Sequence, residues 1–159
     1  MTIAYIGIGS NQGDSRAQVL RAFDELARLP GTQLEGRSAL YRSAPVEAPG
    51  QADYVNAAAG VDTQLSAAQL LAALQDIELR HGRERPHPNA PRTLDLDLLL
   101  YGEMSFASAM LTLPHPRMHQ RAFVLLPLLD LDPRLEVPGL GTARELLARC
   151  AGQRIVRMD

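Results

Sequence analysis

The segment NAPRTLDLDLLLYG, residues 89–102, places Asp95 and Asp97 inside an apolar run from Leu94 to Tyr101. A run of that length and composition predicts a strand. Residues two apart on a strand face the same side, so the carboxylates become neighbours while Leu94, Leu96 and Leu98 face the other way. Like charges that close repel, and burying them is costly unless a cation neutralises them. Magnesium suits the pair, because it takes hard oxygen ligands, needs only one or two carboxylates, and completes its shell with phosphate oxygens and water. An edge strand with one solvated face would carry the same two residues, and the pair alone does not separate these readings. The preceding segment does. Arg83, Arg85 and Arg92 lie within ten residues, with Arg80 just upstream, and Pro86, Pro88, Asn89 and Pro91 between them form a loop. Guanidinium forks match phosphate oxygens. An arginine-bearing loop that runs into an acidic strand end points to a polyphosphate bridged by magnesium.

Three further segments hold candidate groups. In LPHPRMHQRAFVLLPL, residues 113–128, His115 sits between two prolines that restrict its backbone. Arg117, His119 and Arg121 follow. His115 and Arg121 give a second positive group, where the opposite wall of a cleft is expected, and Phe123 opens an apolar helix and is expected in the core. Asn56 interrupts a run of Val55, Ala57, Ala58 and Ala59. A buried amide must be hydrogen-bonded, and this one either reads the edge of a heterocycle or closes a backbone loop. The segment GIGSNQGD, residues 7–14, has the spacing G-x-G-x-x-x-G and not the dinucleotide fingerprint. It is expected to be a tight strand-to-helix turn.

The elements that must position these groups follow from hydrophobic spacing. Strands are expected at 2–9, 34–43, 54–63 and 94–101. Helices are expected at 16–29, started by Asp14 or Ser15, and from Ser66 to the stop at Gly82. The order β-α-β-β-α-β fits an α+β, ferredoxin-like sandwich with a mainly antiparallel sheet and both helices on one face. The rest forms a C-terminal extension, with short helices near 121–129 and 142–150 and a last strand near 154–158.

Composition bounds the function. The 159 residues suit one domain, 1–159, and 46% apolar with 21% charged residues is an ordinary globular balance. A net charge of −2 gives no field for nucleic acid or an anionic membrane. All 16 basic residues are arginine, which excludes a phosphate-loop lysine and a Schiff base. Cys150 is the single cysteine, so no internal disulfide and no cysteine-based zinc site forms. No apolar stretch approaches the roughly 20 residues of a membrane span. The start MTIAYIGIGSN has no signal-peptide pattern, and a cytoplasmic setting is expected.

Four segments in order, GIGSN, DYVNAA, PRTLDLDLLLYG and LPHPRMHQRAFVLLPL, resemble the 6-hydroxymethyl-7,8-dihydropterin pyrophosphokinase family over nearly the whole chain, from Ile3 to about Pro138. The resemblance implies the ferredoxin-like sandwich and the transfer of pyrophosphate from ATP to the pterin hydroxymethyl group, releasing AMP, in folate biosynthesis. It implies two magnesium ions held by Asp95 and Asp97. It implies a pterin stacked between Tyr54 and Phe123, read by Asn56, with backbone near Ser43, Ala44 and Val46 lining the pocket. ATP would be gripped by Gln75, Glu78, Arg85, Arg92, Leu98, Leu111, Thr112, His115 and Arg121. Arg83 and Arg92 would belong to a mobile loop closing over the phosphates, and these two with His115 and Arg121 would carry the catalytic charge neutralisation. Relatives often have a tryptophan in that loop, whereas here it reads PHPNAPR and the chain has no tryptophan. ATP and the pterin are the expected partners of a monomer. The competing class is a nucleotide- or RNA-binding ferredoxin-like module without catalysis.

Overall fold

A strand of alternating burial, β1 (Thr2–Ser10), opens the chain. The computed structural model describes residues 1–44, 52–82 and 93–158. Asp14 accepts a hydrogen bond from the Ala17 N–H at 3.2 Å and starts α1 (Ser15–Ala27). Strands β2 (Thr32–Arg37), β3 (Tyr41–Ser43) and β4 (Tyr54–Thr63) follow. Ser66 and Gln69 form a reciprocal capping box at the start of α2 (Ala67–Arg80), and Gly82 takes φ +73° just beyond its end. The acidic strand is β5 (Asp95–Tyr101).

The remainder holds a hairpin of β6 (Phe106–Ala107) and β7 (Thr112–Leu113), a 3-10 turn Met118–Gln120, and α3 (Ala122–Leu131). A second hairpin of β8 (Glu136–Val137) and β9 (Gly141–Thr142), then α4 (Ala143–Ala148) and β10 (Ile155–Arg157), complete it. The main sheet runs β10-β3-β4-β1-β5, with β2 also on β4, and every described pairing is antiparallel. β5 is therefore an edge strand.

Alternation along the strands gives each sheet face its own core. Ile6, Ile8, Ala57, Ala59, Leu96 and Leu98 pack with Val19, Phe23 and Leu26 of α1 and Leu70, Leu74 and Ile77 of α2. The opposite face packs Ala58, Leu99 and Leu100 against Leu125 and Leu128 of α3 and Leu146 of α4. The expected placement of α1 and α2 on one face holds, and the C-terminal extension supplies a third layer. Phe23 is 1% exposed in the first core. Phe23→Ala is expected to cost about 3–5 kcal/mol of stability, read from chemical-denaturant unfolding. A cost below about 1 kcal/mol would place its ring outside the core.

Two details depart from the expected strands. The strand expected at 34–43 is two strands, because Ser38 breaks the ladder. Its hydroxyl accepts the Ala58 N–H at 2.8 Å and donates to the Ala39 carbonyl at 2.7 Å, substituting for regular pairing. In β5 the register against β1 slips between Leu98 and Leu100, leaving Leu99 as the extra residue of a bulge. The slip turns Leu99 and Leu100 to the same core.

Candidate functional site

The two aspartates lie at the open edge of the sheet. Asp95 pairs with Gly9 and Asp97 with Gly7 across β1, so the cross-strand neighbour of each carboxylate carries no side chain. A Cβ at Gly7 would stand 3.3 Å from Leu99 Cδ1, and one at Gly9 would stand 3.6 Å from the Tyr54 ring and 3.7 Å from Asn56 Oδ1. Gly7 and Gly9 lie in β1, within the strand expected at 2–9, and the turn begins only after Ser10. Lacking side chains, they add no bulk beside the carboxylates.

A cavity of about 350 Å³ runs over the edge of β5. Asp95, Asp97 and Leu96 form its floor, Leu71, Gln75 and Glu78 of α2 one wall, and His115, Pro116, Arg117 and Arg121 the other. Glu78, 2% exposed, accepts the outward-facing Leu96 N–H at 2.8 Å. A backbone donor on a buried sheet edge needs such a partner, so Glu78 closes the ladder where, among the described residues, no further strand pairs.

His115 is fixed by the bulge. Its backbone N–H donates to the Leu99 carbonyl at 2.9 Å, and its Nδ1 accepts the Arg117 N–H at 3.2 Å. A neutral ring then carries its proton on Nε2. Burial, and after it the charge of Arg121, lower its pKa from 6.5 to about 4, against a smaller opposite pull from Asp95. The sequence suggested a cation here. The structure presents a neutral hydrogen-bond donor at pH 7. Between pH 6.5 and 4 the unfolded chain binds a proton at this residue that the folded chain does not. Its stabilising effect is complete above 6.5 and is lost as the pH falls towards 4. His115→Gln is therefore expected to unfold with a shallower loss of stability over that range than the parent, in urea titrations at stepped pH. Equal slopes would contradict the assignment.

A second cavity, of about 590 Å³, adjoins the first and shares Arg117 and Arg121 with it. Its other lining residues include Ser43, Ala44, Gln120, Phe123, Gln153 and Arg154. The Arg121 guanidinium lies 5.5 Å from the centre of the Phe123 ring, within cation–π range. Asn56, 3% exposed, sits under this wall. Its amide nitrogen donates to Ser43 Oγ at 2.7 Å and to the Tyr41 carbonyl at 3.4 Å. Tyr41 in turn donates to Asp130 at 2.6 Å, and burial together with that bond pushes its pKa up to about 12. Asn56 thus does close backbone of β3, as one of its two expected roles required.

The structure brings Asp95, Asp97, Gln75, Glu78, His115 and Arg121 to one cavity and Ser43, Ala44, Phe123 and Arg121 to the other. Tyr54 stands at the start of β4, paired with Ser43. Leu98 is 3% exposed with its side chain in the core, and Leu111 packs against that same core. Thr112, half-buried in β7, pairs with Ala107 and lines neither cavity. Val46, Arg83, Arg85 and Arg92 lie outside the described residues. Arg117, Gln153 and Arg154 also line the cavities, and Gly7 and Gly9 stand opposite the aspartates, none of them given a site role in the sequence-based reading. Arg117 was legible as a cation in the His115 segment. Nothing in the sequence pattern brings 153 and 154 to the site.

The donor set fits magnesium. Asp95 and Asp97 are half-buried carboxylates, a hard-oxygen donor pair, at an open cavity. Among the described residues no three His, Cys, Asp or Glu side chains converge as a self-sufficient metal site. A pair of carboxylates leaves the remaining positions to phosphate oxygens and water.

Paired carboxylates facing arginines across an open cleft suit phosphoryl transfer, in which positioning and charge neutralisation do most of the catalysis. Residues 5–133 match the model of the 7,8-dihydro-6-hydroxymethylpterin-pyrophosphokinase (HPPK) family, and the chain belongs to that family. It is 46% identical over 154 residues to the 2-amino-4-hydroxy-6-hydroxymethyldihydropteridine pyrophosphokinase of Pseudomonas aeruginosa, covering 97% of this chain and 95% of that one. It is 40% identical over 159 residues to the enzyme of the same name from Methylorubrum extorquens, covering all of both chains. Among solved structures it is similar to a triple mutant of Plasmodium falciparum HPPK-DHPS, with a TM-score of 0.73 at 13% identity. That match covers 93% of this chain but 43% of the solved one, so the chain spans less than half the solved chain's length. The similarity there is one of fold: a mixed α/β structure with a mainly antiparallel sheet.

Proposed function

We propose that the two joined cavities carry out the family's reaction: the chain transfers the pyrophosphoryl group of ATP to the hydroxymethyl oxygen of 6-hydroxymethyl-7,8-dihydropterin, releasing AMP, in folate biosynthesis. The carrying observation is the sharing of Arg117 and Arg121 between a cavity floored by Asp95 and Asp97 and one walled by Phe123 and Ser43. ATP occupies the first cavity and the pterin the second, and the transferred group crosses between them. Membership of a pyrophosphokinase family favours this over a non-catalytic nucleotide- or RNA-binding module.

The chain's part is to bind, neutralise and orient. Arg121 and Arg117 face both substrates and neutralise the oxygens of the group in transit. His115 donates from Nε2 to a phosphate oxygen while its backbone is held by Leu99. Gln75 and Glu78 wall the ATP side. Phe123, with Tyr54 on the opposite side, sandwiches the pterin ring, and Asn56 reads its edge, held by Ser43 and Tyr41. Asp95 and Asp97 would hold two magnesium ions, which when bound would supply charge screening of the phosphates and a lowered pKa at the pterin hydroxyl. Arg83, Arg85 and Arg92 belong to the same phosphate grip by their place in the sequence just before Asp95. Leu98, Leu111 and Thr112 join the ATP contacts by resemblance alone, since none of them lines either cavity.

The four longest strands and α1 and α2 form a ferredoxin-like sandwich, supported by the order β5-β1-β4-β2 with α1 and α2 on one face. One domain, 1–159, acts as a cytoplasmic monomer without nucleic acid. Among the described residues no helix is long and apolar enough to cross a membrane. Purified protein given ATP, magnesium and the pterin should release AMP, and withholding the pterin should stop it. Release no faster than with ATP alone would reject the proposal.

A further inference from the structure

Helix α3 begins beside the shared arginines without a cap of its own. Its N-cap residue, Arg121, makes no side-chain capping bond. The first N–H groups of a helix need partners, and here one partner comes from the far end of the chain. Gln153 Oε1 accepts the Ala122 N–H at 2.9 Å, and Gln153 Nε2 donates to the Gln120 carbonyl at 2.7 Å. The residue between those two contacts is Arg121, in extended backbone at φ −127° and ψ 108°. One amide therefore spans Arg121 on both sides.

Gln153 is itself held from two directions. Its N–H donates to the Cys150 carbonyl at 3.0 Å, and Cys150 is buried in the second core. Immediately after it, β10 pairs with β3, placing Ile155 opposite Ser43. The segment 153–157 thus touches both walls of the larger cavity, the Arg121–Phe123 wall through the clamp and the Ser43 wall through the sheet. It lies beyond the residues matched to the family model, which end at 133.

We propose that Gln153 is a positioning residue for the transfer: its two-point clamp holds Arg121 and Phe123 in register with the β3 wall of the larger cavity. The inference rests on that cavity being the pterin site. Gln153→Met keeps the length of the side chain and removes both bonds. Steady-state AMP release with each substrate varied in turn is expected to show a pterin KM raised about tenfold, equivalent to about 1.4 kcal/mol. The ATP KM is expected to rise less, by under about threefold, because among the ATP-side groups only Arg121 depends on the clamp and Gln75, Glu78, Asp95 and Asp97 are untouched. Arg144→Ala, an exposed change on α4, should leave both constants at the parent's values. A residue that only stabilises the fold would lower the thermal midpoint and leave both constants unchanged in the folded fraction. A parent that releases no AMP overturns the transfer reading itself. An active parent with Gln153→Met constants both within about twofold of it overturns the clamp alone.

Discussion

Asp97→Ala is expected to lower AMP release by at least about 10³-fold while the protein still folds. Removing a single preorganised donor from a charge-stabilising site costs about 2.7–4 kcal/mol of barrier, and a metal ligand affects both substrate binding and the reacting charge. The carboxylate lies outside both apolar cores. It is half-buried on the edge strand, opposite Gly7, and the core residues beside it, Leu96 and Leu98, face the other way. The thermal midpoint measured without magnesium should stay close to the parent's. Asp97→Asn, which keeps the shape and removes the charge, should be nearly as inactive. Near-parent turnover in either variant would show that the pair does not hold the metal.

Much of this site could be read from residue types and local spacing. The i, i+2 rule placed Asp95 and Asp97 together, and the structure finds both on one cavity floor. The order of elements up to β5 followed from hydrophobic period and caps, with Asp14, Ser66 and Gly82 acting as expected. What could not be read depends on pairing partners distant in sequence. Gly7 and Gly9 matter because the register of β1 sets them opposite the aspartates, and no local pattern encodes that register. The positive His115 expected from its arginine-rich segment is neutral because burial and Arg121 act on it in three dimensions. The split at Ser38 depends on Ala58, twenty residues away in sequence. The two-residue strands β6 to β9 are too short to show any period. Gln153 reaches the site from 31 residues beyond Ala122, through backbone groups that any sequence would present.

Arg121→Ala tests whether the two cavities work as one site. Arg121 lines both, and its guanidinium stacks on Phe123. Its loss should raise the KM for each substrate and reduce kcat, with kcat/KM for the pterin down about 10²–10³-fold. Arg121→Lys should recover only part of this, because an ammonium keeps the charge but loses the planar fork and the stacking face. A second readout needs no turnover. The Arg121 charge is the second-largest influence holding the His115 pKa at about 4, after burial. Removing a neighbouring positive charge favours the imidazolium, so the His115 pKa should rise in Arg121→Ala when followed by NMR titration of the ring protons. An unmoved His115 titration would separate the two residues in space, whatever the kinetics. A shifted titration with unchanged kinetics would keep the geometry and remove Arg121 from the mechanism. Loss of activity together with the upward shift is the combination expected if one arginine serves the bound nucleotide, the pterin and the histidine between them.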